Sequence, residues 1–118
     1  MVNYFFDTYA IAELLSHNPR YTKFNDYPFI ITILNKLELY WWALTHYDKA
    51  FADTLINIPV QEITNDVVQQ AILFRQEYKK RNVSYADSVG YTFARKHGLL
   101  FLTGDKQFKD LPGVEFVQ

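Results

Sequence analysis

Leu99-Leu100-Phe101-Leu102-Thr103-Gly104-Asp105 is an apolar run of strand length that ends on a turn and an acid, and the chain opens in the same way with Val2-Asn3-Tyr4-Phe5-Phe6-Asp7. Short continuous apolar runs bounded by turn signals fit strands buried on both faces. Each run therefore predicts a strand that hands over to a helix or loop at a carboxylate, Asp105 in one case and Asp7 in the other. In open α/β sheets that edge is where ligands bind.

The stretch between these runs reads mainly as helices. Thr8 to Ser16 predicts a helix with Ile11, Leu14 and Leu15 inward, stopped by Asn18-Pro19, and residues 19–28 read as a polar, aromatic-rich loop. Phe29 to Thr32 predicts a short strand. Leu34, Leu37, Trp41 and Leu44 then recur at helical spacing, with Asn35, Glu38, Trp42 and Thr45 on a second face. Next come a helix over Asp48 to Asn57, a short edge strand at Ile58-Pro59-Val60, and a helix capped by Thr64 that runs to about Arg81. Ser84 caps a further helix, whose Ala86, Val89, Gly90, Phe93 and Ala94 give a face small enough to approach a sheet, and Gly98 ends it. A short helix over 105–110 and a turn at Pro112-Gly113 lead to a last strand, Val114 to Val117. Strands separated by helices imply right-handed crossovers, so the predicted fold is α/β: three layers, α/β/α, with a mostly parallel central sheet.

The length of 118 residues suits one domain, 1–118, with 49% hydrophobic and 18% aromatic residues and no repeat or low-complexity linker. No apolar stretch reaches the roughly 20 residues of a membrane span, and the start lacks the basic and apolar regions of a signal peptide. Cysteine is absent, which excludes thiolate metal sites and disulfides and suits a reducing cytoplasm. A net charge of −1 argues against a plain nucleic-acid binder. It argues less against a metal nuclease, which needs only a local cationic patch for the phosphates. Lys79-Lys80-Arg81, Arg95-Lys96, and Lys106 with Lys109 are candidates, although the first also reads as a solvated charge run at a helix end.

Two further acids join Asp7 and Asp105. Glu38 lies within an apolar helix, and its neighbours three and four residues away, Leu34, Asn35, Trp41 and Trp42, include no cation. Asp87 follows Ser84-Tyr85-Ala86. Each acid has a plainer reading: Asp7 and Asp105 as cap or turn residues, Asp87 as the acid of an S-x-x-D capping box, and Glu38 as exposed at a helix edge. Brought together, the four would repel one another severely without a cation, and an all-oxygen set wants Mg²⁺ or Mn²⁺.

Tyr4-Phe5-Phe6-Asp7-Thr8, Glu38 in the second main helix, Tyr85-Ala86-Asp87-Ser88 and Leu100-Phe101-Leu102-Thr103-Gly104-Asp105-Lys106-Gln107-Phe108 together resemble the PIN-domain pattern. Leu111-Pro112-Gly113-Val114-Glu115-Phe116-Val117 is similar to the approach and last strand of that family. The resemblance implies a metal-dependent endoribonuclease with Asp7, Glu38, Asp87 and Asp105 as ligands of Mg²⁺ or Mn²⁺. Thr103 would orient a carboxylate or water. Small single-domain members are commonly toxins of VapBC-type toxin–antitoxin pairs, so an antitoxin whose tail covers the acidic cleft, a homodimer and an RNA substrate are the implied partners. Tyr21 to Phe29 is a candidate antitoxin contact.

Two departures stand out: Tyr9 where members often have Asn, and Ser88 where they often have Ala. Tyr9 and Trp42 are candidates for stacking on RNA bases, Trp42 also reading as core or dimer packing, while Trp41 and most of the Phe residues read as core. The alternative function is a non-catalytic PIN-like protein-interaction module. Haloacid dehalogenases and receiver domains fit less well, because position 9 is Tyr rather than a second Asp and the middle strand candidate Ile58-Pro59-Val60 offers no Asp. His17, His46 and His97 lack ligand spacing.

Overall fold

The three strands of the sheet are β1 (Tyr4–Phe6), β2 (Leu100–Thr103) and β3 (Val114–Phe116), with β2 in the middle and parallel to both neighbours. The computed structural model that shows this describes residues 2–118. Phe5 pairs with Phe101 and Phe6 with Leu102. Because side chains alternate across a strand, Phe5 and Phe101 enter one core while Phe6 and Leu102 enter the other. All four side chains are fully buried, the condition of a parallel sheet covered on both faces.

Helices α4 (Asn65–Glu77) and α5 (Tyr85–Lys96) cover the Phe5 face; α1 (Thr8–Leu15), α2 (Ile33–His46) and α3 (Lys49–Leu55) cover the Phe6 face. The three-layer α/β/α arrangement expected from the sequence is the one observed. The small-residue face of α5 lies on the sheet. A Cβ on Gly90 would stand 2.6 Å from Cε1 of Phe5 and 3.2 Å from Cε1 of Phe101, both buried rings. Gly90→Ala is therefore expected to lower stability by about 1–3 kcal/mol despite the better helix propensity of Ala, read as a lower urea midpoint at unchanged slope. An unchanged midpoint would show that the rings give way freely. Gly98 sits just past α5 at φ +68°, and the Leu99 amide bonds back to the Ala94 carbonyl at 2.9 Å, the closing turn expected of it.

Four expectations need correction. Phe29–Thr32 and Ile58–Val60 do not form strands; Ile30 bridges to Phe5 and Thr32 to Gln61 as isolated parallel contacts. Pro59 lacks the amide that a ladder through Ile58–Val60 would use. Residues 19–28 are not loop throughout, because Pro19–Phe24 winds into a 3-10 helix capped by Asn18. Its Tyr21 and Phe24 are buried, and the Tyr21 hydroxyl donates to the Val117 carbonyl at 2.9 Å, so the stretch proposed for antitoxin contact spends these rings in the core. Helix α4 stops at Glu77 rather than about Arg81.

The orientation of α2 is the fourth. Its buried line is Asn35, Leu39 and Ala43, whereas Leu37 and Trp41 are 63% and 66% exposed. Small Ala43 lets the chain of α3 approach, and Asn35 is occupied by hydrogen bonds, so the richer apolar stripe is left outside. Trp41 is thus not core, while Trp42 packs half-buried against Tyr47 and Phe51. Among the described residues no helix is long and apolar enough to cross a membrane.

Candidate active site

Asp7 follows β1 directly and is buried. One carboxylate oxygen caps α1, accepting from the Ala10 amide at 2.7 Å, and the other accepts from the hydroxyl of Thr103, the last residue of β2. Thr103 Oγ1 in turn accepts the Asp105 amide at 3.0 Å, and Asp105 caps the short 3-10 turn Lys106–Phe108 by accepting from the Gln107 amide at 2.9 Å. Parallel pairing of β1 with β2 brings these two strand ends side by side.

Asp87 lies in the first turn of α5. Its amide donates to Ser84 Oγ at 3.0 Å, and its carboxylate interacts with the Ser84 side chain. Glu38, one turn into α2, accepts the Thr8 hydroxyl at 2.5 Å. Thr8 is itself held by Asn35, whose Nδ2 donates to Thr8 Oγ1 at 3.2 Å while its Oδ1 accepts the Thr32 amide at 2.9 Å. The buried Asn35 therefore fixes the rotor that serves Glu38.

Capping and clustering coexist here. Asp7 and Asp105 do cap, as the plainer readings had it, and the charges that act on Asp7 are those of Asp87 and Asp105, while those that act on Asp87 are of Glu38 and Asp105. Burial pushes the Asp7 carboxyl well above its usual range; the Thr103 bond opposes this, Asp87 adds to it, the Ala10 bond opposes it and Asp105 adds to it. Burial, then Glu38 and Asp105, push Asp87 up to about 7. None of the described ion pairs includes either residue. Asp87 and Asp105 thus act on Asp7, and Glu38 and Asp105 on Asp87, with no described ion pair offsetting either Asp7 or Asp87.

Among the described residues, no three His, Asp or Glu side chains stand close enough to hold one ion directly between them. The donor set still suits a hard cation. Mg²⁺ keeps several waters and binds proteins through one or two carboxylates, so it does not require three direct ligands. A divalent ion would also relieve the condition that pushes Asp7 and Asp87 toward protonation.

Around the acids, Tyr9 is 48% exposed with its ring against Gly104. Thr8, Leu37, Glu38, Trp41 and Trp42 line a cavity of about 430 Å³. Of the cationic candidates, Arg81 is bound by Asp110 at 2.8 Å and the Gln107 carbonyl at 2.6 Å, and Lys96 pairs with Asp66. Lys79, Lys80, Arg95, Lys106 and Lys109 are exposed, as are the three histidines. Sequence reading missed Thr8 and Asn35. A signal existed for Asn35, an amide three residues before Glu38 on the same helical face.

Comparison with solved structures gives closely matching folds. The chain superposes with a toxin–antitoxin complex from Klebsiella pneumoniae at a TM-score of 0.76 and 22% identity, over 96% of this chain and 95% of that one. It superposes with the sarcin–ricin loop cleaving toxin VapC20 of Mycobacterium tuberculosis at 0.78 and 18%, over 98% and 100%, and with DNA-bound VapBC from Salmonella typhimurium at 0.72 and 18%, over 98% and 97%. Comparison with curated proteins returns no match. The PIN domain family model matches residues 4–114, from β1 through both acid-bearing strand ends to β3, and the chain belongs to the PIN domain family.

Proposed function

We propose that this protein is a Mg²⁺- or Mn²⁺-dependent endoribonuclease that hydrolyses RNA phosphodiester bonds, acting in the cytoplasm as the toxin of a type II toxin–antitoxin pair. The observation that carries the reading is the buried Asp7 carboxylate, bonded to Thr103 at the strand ends and surrounded by carboxylates with no cation among its partners. Asp7, Glu38, Asp87 and Asp105 would hold the ion. When bound it supplies positive charge to the phosphate and hydroxide at neutral pH. The chain's own part is positional: Thr103 fixes one face of Asp7, Thr8 with Asn35 fixes Glu38, and Ser84 fixes Asp87.

Partners follow from what the fold leaves uncovered. Ile33, Leu37, Trp41 and Leu44 form an exposed stripe along α2, continued by Ile56, at the spacing by which an amphipathic helix docks in a groove. The stripe adjoins Glu38 through the cavity shared by Leu37 and Trp41. An antitoxin helix on this stripe would reach the acids, and the solved neighbours include toxin–antitoxin complexes. Val68, Ile72 and Leu73 expose a second apolar face on α4, which we assign to a homodimer. The α2 stripe also suits the alternative, an interaction module without catalysis.

Purified protein incubated with structured RNAs and Mn²⁺ separates the two. Cleavage abolished by chelator, with Mn²⁺ binding measured by calorimetry and weakened at least about tenfold in Asp105→Asn, is the expected result. Asn keeps the cap on the Gln107 amide, so the fold should persist. Absence of both cleavage and Mn²⁺ binding would leave the interaction module.

A further inference from the structure

Arg81 closes the run Lys79-Lys80-Arg81 in the connection between α4 and α5. Lys79 and Lys80 are exposed, but the Arg81 side chain is 27% exposed and its donors are committed. Nη1 donates to Asp110 Oδ1 at 2.8 Å and Nη2 to Asp110 Oδ2 at 3.1 Å, a two-pronged grip that only a guanidinium offers. Nη1 also donates to the Gln107 carbonyl at 2.6 Å. The guanidinium carbon lies 4.8 Å from the ring centroid of Tyr78, the residue that closes α4.

An exposed ion pair by itself contributes little. What this one holds is the turn that carries Asp105. Gln107 accepts Arg81 at its carbonyl and donates its amide to Asp105 Oδ1 at 2.9 Å, so one residue separates the cation from the acid. Among the described hydrogen bonds the Gln107 amide is the one donor to that carboxylate, and its placement therefore governs where the carboxylate points. Phe108, next in the chain, is fully buried against Phe101 at 4.9 Å between centroids. The turn is thus pinned by an apolar ring on its core side and by Arg81 on its outer side. The base of the grip is fixed as well, since the Arg81 carbonyl accepts the Val83 amide at 3.0 Å and the Val83 carbonyl accepts Arg75 Nε at 3.1 Å.

We infer that Arg81, aligned by Asp110, is a positioning residue for Asp105, holding the Gln107 peptide so that the Asp105 carboxylate faces the other acids. The inference rests on the metal-nuclease reading and goes beyond it by giving work to a cation that bonds none of the four acids. Three roles for Arg81 predict three signs. A cation that merely stands near the acids repels a divalent ion, so its removal makes the ion bind more tightly. A solvated ion pair leaves affinity unchanged. A positioning residue makes binding weaker although a repelling charge has gone.

Arg81→Met, which keeps a long stem without donors or charge, is expected to weaken Mn²⁺ binding about tenfold by calorimetry. Arg81→Lys, with the charge but not the fork, and Asp110→Ala should each weaken it about threefold. Arg81→Met combined with Asp110→Ala should be no weaker than Arg81→Met alone, because Asp110 acts through the arginine. Amide hydrogen exchange in chelator reads the turn without metal or RNA. The Gln107 amide should exchange about tenfold faster in Arg81→Met, while the Phe101 and Leu102 amides of β2 keep their rates. Unchanged or tighter Mn²⁺ binding by Arg81→Met overturns the proposal. So does Gln107 exchange that stays level, or that quickens together with β2, which would make Arg81 a brace of the whole fold. Losses that multiply in the double variant remove Asp110 from the role assigned to it and overturn the proposal in that form. If the wild type neither binds Mn²⁺ nor cleaves RNA, the nuclease reading fails by itself, and Gln107 exchange alone decides whether Arg81 holds the Asp105 turn.

Discussion

Asp7→Asn is expected to abolish metal-dependent RNA cleavage, by about a thousandfold or more in kcat/KM, and to raise the melting temperature of the metal-free protein. The first effect follows from removing the most buried negative charge of the set, where a bound ion is worth several kcal/mol to the reaction. The second follows from the same burial. A carboxyl pushed well above its usual range is one whose charged form the fold disfavours. Asn has nearly the same shape and no charge, and its Oδ1 can still accept from the Ala10 amide. Thr103 Oγ1, which donates to Asp7, can accept from the new amide instead. A gain on the order of 1 kcal/mol at neutral pH, a few degrees of melting temperature, is therefore expected. Asp7→Ala should go the other way by about 1 kcal/mol, since it removes the cap of α1 as well. Calorimetry in chelator measures both. If Asn and Ala destabilise alike, the carboxylate is a cap and nothing more, and cleavage that persists in Asp7→Asn removes it from the chemistry.

That Asp7 can be cap and cluster member at once explains why its reading stayed open from sequence. A residue directly after β1 is placed to cap α1 whatever else it does. What the residues alone made legible was the sheet: Phe5-Phe6 and Phe101-Leu102 are apolar at every position, which only a strand covered on both faces requires. The glycine and alanines of α5 likewise announced a close approach, realised at Gly90 against Phe5. The turn of α2 could not be read the same way. Its expected apolar stripe at 34, 37, 41 and 44 outweighs its buried line at 35, 39 and 43, and periodicity favours the former, although only Leu34 of that stripe packs against the core. The deciding contacts are tertiary: Asn35 is buried because Thr32 and Thr8 satisfy it, and Thr8 is distant in sequence. Glu38 posed the same problem, since its partner lies 30 residues away and no helical neighbour offered one. The strand predicted at Ile58–Val60 carried a local warning that was visible, Pro59.

The second large effect concerns pH. In chelator, stability should fall as pH rises from about 4 to about 7, and divalent metal should cancel the fall. Burial, with Glu38 and Asp105 beside it, pushes Asp87 up to about 7 in the fold, against an ordinary value of about 3.9 in the unfolded chain. Between those values the folded state holds a proton that the unfolded state has lost, so stability decreases with increasing pH. The ceiling for Asp87 alone is about 4 kcal/mol, and Asp7, shifted in the same direction, adds to it. Asp53, Asp66 and Asp110 are shifted down by Lys49, Lys96 and Arg81 respectively. Their contribution is complete above about pH 4 and is lost only below it, so it does not mask the slope. A cation binds the deprotonated acids and releases their protons, so its affinity should climb through the same interval. At a hundredfold excess over its dissociation constant it returns about 2.7 kcal/mol. Urea unfolding at about pH 5 and pH 8, with chelator or with Mn²⁺, reads both effects. Asp87→Asn should reduce the chelator slope, because one of the two groups whose protons create it is gone. Stability in chelator that is level or rising over this range would mean that the acids are solvated and apart, and the metal site would fall with that result.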